Sequence, residues 1–153
     1  MARMIRVVRS DLLTSPCRMI VNPVNTVGVM GKGAALKFKR KYPASAARYM
    51  ARARAGQIVI GQVFVDRVAQ GEIAYFPTKA DWRQPSRLEY IDAGLVSLVE
   101  MVKALDVQSI GIPALGCGAG GLAWADVRPR IEAAFAVLPK VYVLLHVPDR
   151  NLH

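Results

Sequence analysis

Residues 22–35 read Asn-Pro-Val-Asn-Thr-Val-Gly-Val-Met-Gly-Lys-Gly-Ala-Ala. The stretch follows a short Ile- and Val-rich run, Arg18 to Asn22, and opens into a helix-forming run, Gly33 to Lys41. A strand, a glycine loop and a helix in that order make an anion site: glycines let backbone approach a ligand, and the first helical N–H groups face it. Gly31-Lys32-Gly33 is not a Walker A phosphate loop. Thr26 stands where that motif needs its first glycine, and Gly33 where it needs a Ser or Thr for magnesium. ATP hydrolysis is therefore not expected.

Further along, the pattern returns. Pro113-Ala-Leu-Gly-Cys-Gly-Ala-Gly-Gly-Leu122 again lies between a strand and a helix, and Gly116, Gly118 and Gly121 satisfy G-x-G-x-x-G. A dinucleotide fold would add an acidic residue at the end of the next strand. The next strand, Val141 to Val147, offers none before Asp149, and too little chain follows Gly121 for a complete dinucleotide domain. Tight turns alone account for one such loop. Two of them suggest a clamp for a pyrophosphate.

The rest of the chain frames these loops with alternating elements. Met4 to Arg9, Gln62 to Val68, Glu72 to Phe76 and Ser109 to Pro113 complete six predicted strands. Ala44 to Ala55 predicts a second helix, separated from the first by Pro43 and stopped by Gly56. Ser86 and Glu89 read as a capping box opening a third helix, with Leu88, Ile91, Leu95, Leu98, Val99 and Val102 on one face. A fourth begins near Asp126 and places Pro129 in its first turn. The expectation is a layered α/β domain around a mixed, about six-stranded sheet, a single unit over 1–153.

The chain has 153 residues, 53% of them hydrophobic, enough for a core without staples. No apolar run approaches the roughly 18 residues of a membrane span, and the N-terminus lacks a signal-peptide h-region; a cytoplasmic protein without membrane contact is the default expectation. Cys17 and Cys117 are too few and too far apart for a metal site, and read as buried thiols. The formal charge is +10. No acid occurs between Asp11 and Asp66, while Arg18, Lys32, Lys37, Lys39, Arg40, Lys41, Arg48, Arg52 and Arg54 do. Such segregation of sign points to a polyanionic partner, nucleic acid first; a solvated helix face is the plainer reading.

These residues resemble the macrodomain family across essentially the whole chain, which implies a three-layer α/β/α sandwich that binds ADP-ribose. By that resemblance Asn22 to Ala35 is the first ligand loop, with Asn22, Gly28, Met30, Gly31, Lys32 and Gly33 as binding residues and Asn25, approaching the distal ribose, as a catalytic residue. Leu115, Gly116, Cys117, Gly118, Ala119, Gly120 and Gly121 form the second loop, around the diphosphate. Ser10-Asp11-Leu12 resembles the turn that reads adenine. Residues 27–39 and Phe76-Pro-Thr-Lys-Ala-Asp-Trp-Arg83 narrow the likeness to the DarG-type antitoxin branch, which also includes the terminal ADP-ribose glycohydrolase of animals. The branch implies removal of ADP-ribose from thymidine in single-stranded DNA, with a DarT-type toxin as partner and no cofactor. Its catalytic lysine falls on Lys79, beside Thr78. The animal relative has a second-loop aspartate that resolves the lysine adduct; here Ala119-Gly120-Gly121 stand there, leaving that step to another group or to the substrate.

Other chemistry is thinly supplied. His146 reads as a core histidine, His153 is the last residue, and Cys117 has no evident base. The rival readings are a non-catalytic ADP-ribose reader, a hydrolase of ADP-ribosylated protein carboxylates, and a plain nucleic-acid-binding protein.

Overall fold

A computed structural model of the chain describes residues 4–147; Asp149 and His153 lie outside them. Six strands form one sheet: β1 (Ile5–Val8), β2 (Met19–Asn25), β3 (Phe64–Val68), β4 (Gly71–Lys79), β5 (Ser109–Pro113) and β6 (Tyr142–His146), in the order β1-β6-β5-β2-β4-β3. All neighbours run parallel except β3, which joins β4 antiparallel across the Ala69–Gln70 turn. The expected mixed six-stranded sheet is what forms.

Helices cover both faces. On one, α1 (Gly33–Lys41) and α2 (Pro43–Arg54) bury Phe38, Ala46, Tyr49 and Ala53 against Ile20, Val24, Ile73 and Tyr75. On the other, α3 (Leu88–Ala104) and α4 (Trp124–Phe135) bury Ile91, Leu95, Leu98, Val127, Ile131 and Phe135 against Met19, Val21, Ala74, Phe76 and Ile110. Alternate residues of β2 and β4 serve opposite clusters, as the two-residue strand period requires. With both faces covered, β2, β4 and β5 are almost continuously buried.

Four local readings are corrected. First, β2 runs past Asn22 and through Pro23 to Asn25. Its ladder with β5 covers only Met19 and Ile20, so Pro23 stands where β2 and β5 have parted and a missing N–H costs little on that side. Second, β4 continues beyond Phe76 to Lys79. Third, Ser86 caps nothing: α3 starts at Leu88 after Arg87, without a side-chain cap. The Ser86 N–H donates to the Gly120 carbonyl instead, and its hydroxyl is buried without a partner among the described residues. Fourth, α4 begins at Trp124, which moves Pro129 into the second turn and leaves the Ala125 carbonyl without its helical donor.

Candidate functional site

Because β2, β4, β5 and β6 are parallel, their C-terminal ends share one edge of the sheet. From that edge β2 leads to α1 and α2 on one face, whereas β5 leads to α4 on the other. Where the connections of neighbouring strands diverge, a crevice opens at their carboxyl ends. Here it is a cleft of about 560 Å³ between the two glycine loops.

Asn25 shapes the first loop. Its Oδ1 accepts from the N–H groups of Val27 (3.1 Å) and Val29 (3.2 Å), and its Nδ2 donates to the Val29 carbonyl at 2.8 Å. Tyr49 on α2 donates its hydroxyl to the Asn25 carbonyl. Thr26 ties the same loop to the end of β4: its N–H donates to the Lys79 carbonyl, and its hydroxyl to that of Ala80. Beyond it, Gly28 has a φ of +82° and lies against Met50 and Ala53 of α2. The loop ends at α1, whose N-cap, Lys32, is extended and makes no side-chain cap. Among the described residues the first N–H groups of α1 therefore have no side-chain cap where Lys32, Gly33, Ala34 and Ala35 line the cleft. An anion is favoured there.

Opposite, the second loop is folded on itself. Cys117 N–H donates to the Ala114 carbonyl, Gly121 N–H to Gly118 and Leu122 N–H to Gly116. Gly116 and Gly121 have φ of +73° and +81°, a region side chains disfavour. At Gly120 a Cβ would come within 2.3 Å of the Ser86 hydroxyl. Gly118 and Gly31 differ: neither has positive φ, and a Cβ on either would meet nothing within 4 Å.

Between the loops stands Lys79, the last residue of β4. It is paired across the ladder with Asn25 after a register shift at Val24, and its ammonium donates to the Trp82 carbonyl at 3.3 Å. Burial, and then the positive charge of Lys32, hold its pKa below the usual lysine range. Thr78 beside it is buried, with its hydroxyl toward the Val24 carbonyl.

The structure thus brings Asn25, Gly31, Lys32, Gly33, Thr78 and Lys79 into one wall, and Gly116, Gly118, Ala119 and Gly120 into the facing one. The other residues singled out from sequence lie beside it. Met30, Leu115 and Leu12 are core residues, Gly121 faces outward, and Cys117 is buried with a thiol pushed up to about 11 by desolvation, which suits no nucleophile. Asn22 is fully buried on β2 with neither amide atom partnered among the described residues. Asp11 is exposed and caps the 3-10 turn Leu12–Thr14 by accepting from the Leu13 N–H. It adjoins Ser10, whose carbonyl accepts from Nδ1 of His146, a buried residue that also lines the cleft.

His146 and Trp82 are the notable cleft residues that sequence reasoning did not assign. A histidine in an apolar strand carries no local sign of which end of the sheet it reaches. Trp82 belongs to the Phe76–Arg83 run that resembles the DarG-type branch, but nothing in its sequence neighbourhood says that it stands open. Among the described residues no group of three or more His, Cys, Asp or Glu gathers as for a metal, no carboxylate lines the cleft, and no helix is long and apolar enough to cross a membrane.

A parallel-centred sheet with two glycine loops at the divergence of its central strands defines an α/β domain with a cleft suited to an anion, and the chain belongs to the Macro domain family, which it matches over residues 21–131. It is 47% identical over 152 residues to a DNA ADP-ribosyl glycohydrolase of Thermus aquaticus, an alignment covering 97% of this chain and 42% of that protein. A protein of the same description from Mycobacterium tuberculosis is 45% identical over 143 residues, covering 91% and 41%. The chain therefore spans less than half the length of these relatives. Among solved structures, the macrodomain of Mycobacterium tuberculosis DarG superposes with a TM-score of 0.94 at 43% identity, covering 97% of this chain and all of that one. Thermosipho africanus DarTG in complex with ADP-ribose gives 0.88 at 29% identity, covering 94% of this chain and 41% of that one.

Proposed function

We propose that this macrodomain binds ADP-ribose in the cleft and removes it from thymidine in single-stranded DNA, reversing a DarT-type toxin. The observation that carries the reading is Lys79, a partly desolvated amine held opposite Asn25, between two loops suited to a diphosphate. The relatives described as DNA ADP-ribosyl glycohydrolases supply the substrate class. A Thermosipho africanus relative is described as a fusion of a DNA ADP-ribosyl transferase with such a glycohydrolase, which supports a transferase partner. The whole chain acts as one macrodomain unit and needs no cofactor.

In this reading the uncapped N–H groups of α1 and the second loop take the diphosphate. Asp11 offers a carboxylate to the adenine amino group. Asn25 fixes the loop against which the distal ribose rests, with one amide hydrogen still free for a ribose hydroxyl. The neutral Nζ of Lys79 adds to the anomeric carbon as the bond to the thymine nitrogen breaks, and the base leaves with a proton. The adduct opens to a Schiff base, and water cleaves it to return the amine and free ADP-ribose. With no carboxylate in the cleft wall, proton transfers fall to the amine, the substrate and water.

The test is an oligonucleotide carrying ADP-ribosylated thymidine. Wild type should release ADP-ribose; Lys79→Ala and Lys79→Arg should slow release by orders of magnitude while free ADP-ribose still binds, since arginine keeps the charge but supplies no neutral nucleophile. Binding without release by wild type would make the domain a reader. Release from modified protein carboxylates but not from DNA would change the substrate.

A further inference from the structure

Trp82 keeps 43% of its surface open although it lies in the wall of the cleft. Single exposed apolar side chains are ordinary. This one is set apart by its surroundings. Its backbone carbonyl accepts from Lys79, so the indole sits on the segment that holds the reacting amine. Its neighbour Arg83 lies with the guanidinium carbon 5.6 Å from the centre of the indole ring. Asp81 keeps it there, accepting from the Arg83 backbone N–H at 2.9 Å, from Nε at 3.0 Å and from Nη2 at 3.0 Å. The segment thus presents a flat aromatic surface and a steadied cation together.

The position matters because of where a leaving group must be. Whatever is bonded to the anomeric carbon lies within reach of the Lys79 amine. The glycine loops and α1 suit the diphosphate, and Trp82, in the same cleft and on the segment that holds Lys79, is then the surface available to the attached group. An indole stacks on any nucleobase, and an adjacent arginine suits the phosphate beside it. A carboxylate-linked side chain has no planar ring to stack. We infer that Trp82, steadied by the Asp81–Arg83 pair, is the platform on which the ADP-ribosylated nucleobase stacks, and that it selects nucleic-acid-linked ADP-ribose. The inference rests on the DNA glycohydrolase reading.

Turnover of the modified oligonucleotide by wild type is measured first. With it in hand, Trp82→Ala should raise KM for that substrate by about five- to a hundredfold, with the dissociation constant of free ADP-ribose changing by less than about twofold. Trp82→Phe should restore most of the loss, and Trp82→Leu, which keeps bulk without a ring, should not. Equal losses for oligonucleotide and free ADP-ribose, or rescue by leucine as good as by phenylalanine, would overturn the platform. Absence of turnover by wild type sinks the glycohydrolase reading instead, and a second measurement then decides this one. The chain has two tryptophans; with Trp124→Phe, fluorescence reports Trp82 alone. Quenching by the modified oligonucleotide beyond that by free ADP-ribose supports stacking, and identical quenching by both refutes it.

Discussion

Gly31 and Gly118 border the cleft in conformations any residue can adopt, and an added Cβ at either would meet no protein atom within 4 Å. The fold does not need glycine there; a ligand lying close to the backbone would. Gly118→Ala should therefore stabilise the protein by about 0.4–1 kcal/mol through the unfolded state while weakening ADP-ribose more than tenfold. Denaturant unfolding and calorimetry read the two effects separately, and an alanine variant that binds like wild type would remove the second loop from the site. Lys79 yields a second expectation. Its lowered pKa comes first from burial and then from Lys32. Removing that positive charge in Lys32→Gln makes the Lys79 ammonium easier to form, so its pKa rises. The rise of kcat with pH should then shift to higher pH, with activity lost near neutrality and recovered above it. A kcat profile that does not move would mean that Lys32 acts only on binding.

At the scale of elements, α3 packs closely against β4, the strand that carries Lys79. A Cβ on Gly94 of α3 would come 2.3 Å from the ring of Phe76, which is fully buried. Gly94→Ala should cost about 1–3 kcal/mol from overpacking, more than the roughly 1 kcal/mol that alanine adds as a helix former. Chemical denaturation checks the sign, and an unchanged midpoint would show that the ring moves aside freely. The number, type and order of elements were legible in the sequence because strands buried on both faces are plain Ile- and Val-rich runs. Their ends were less so. Reading β2 through Pro23 required knowing that its neighbour parts from it there. Ser86 carried the local signature of a helix cap, yet the Gly120 carbonyl, far away in sequence, takes its N–H. The two glycine loops were legible, since glycine is informative without its surroundings. Which glycines face the cleft was not, because Gly28 and Gly31 look alike in a string, yet in the fold Gly28 takes a φ of +82° against α2 while Gly31 has no positive φ and no neighbour within 4 Å of a Cβ.

Over the whole molecule, the acid-free stretch is partly self-neutralised. Arg18 pairs with the buried Glu72 and Arg48 with Asp66, both acids lying beyond the stretch. Lys32, Lys37, Lys39 and Arg40, on or just before α1, are exposed and have no ion-pair partner among the described residues; Lys32 borders the cleft itself. Segregation of charge could be read from sequence, but which cations stay free depends on pairings made only in the fold. If three or four of them meet phosphates, binding of modified single-stranded DNA to the Lys79→Arg variant should fall with salt at a log–log slope of about −2 to −3. Free ADP-ribose should show a shallower slope. Equal slopes would place the DNA backbone elsewhere.

The strand order also has a consequence in time. Ile5 pairs with Val143, far along the sequence, and β1 has no other neighbour in the sheet among the described residues. On a ribosome adding about 5–20 residues per second, β1 would wait on the order of ten seconds for its partner to be made. The cleft, walled by residues from Pro23 to His146, would be incomplete for nearly as long. A nascent or truncated chain would carry only an incomplete site, and its exposed strand edges would be open to chaperones until β6 arrived.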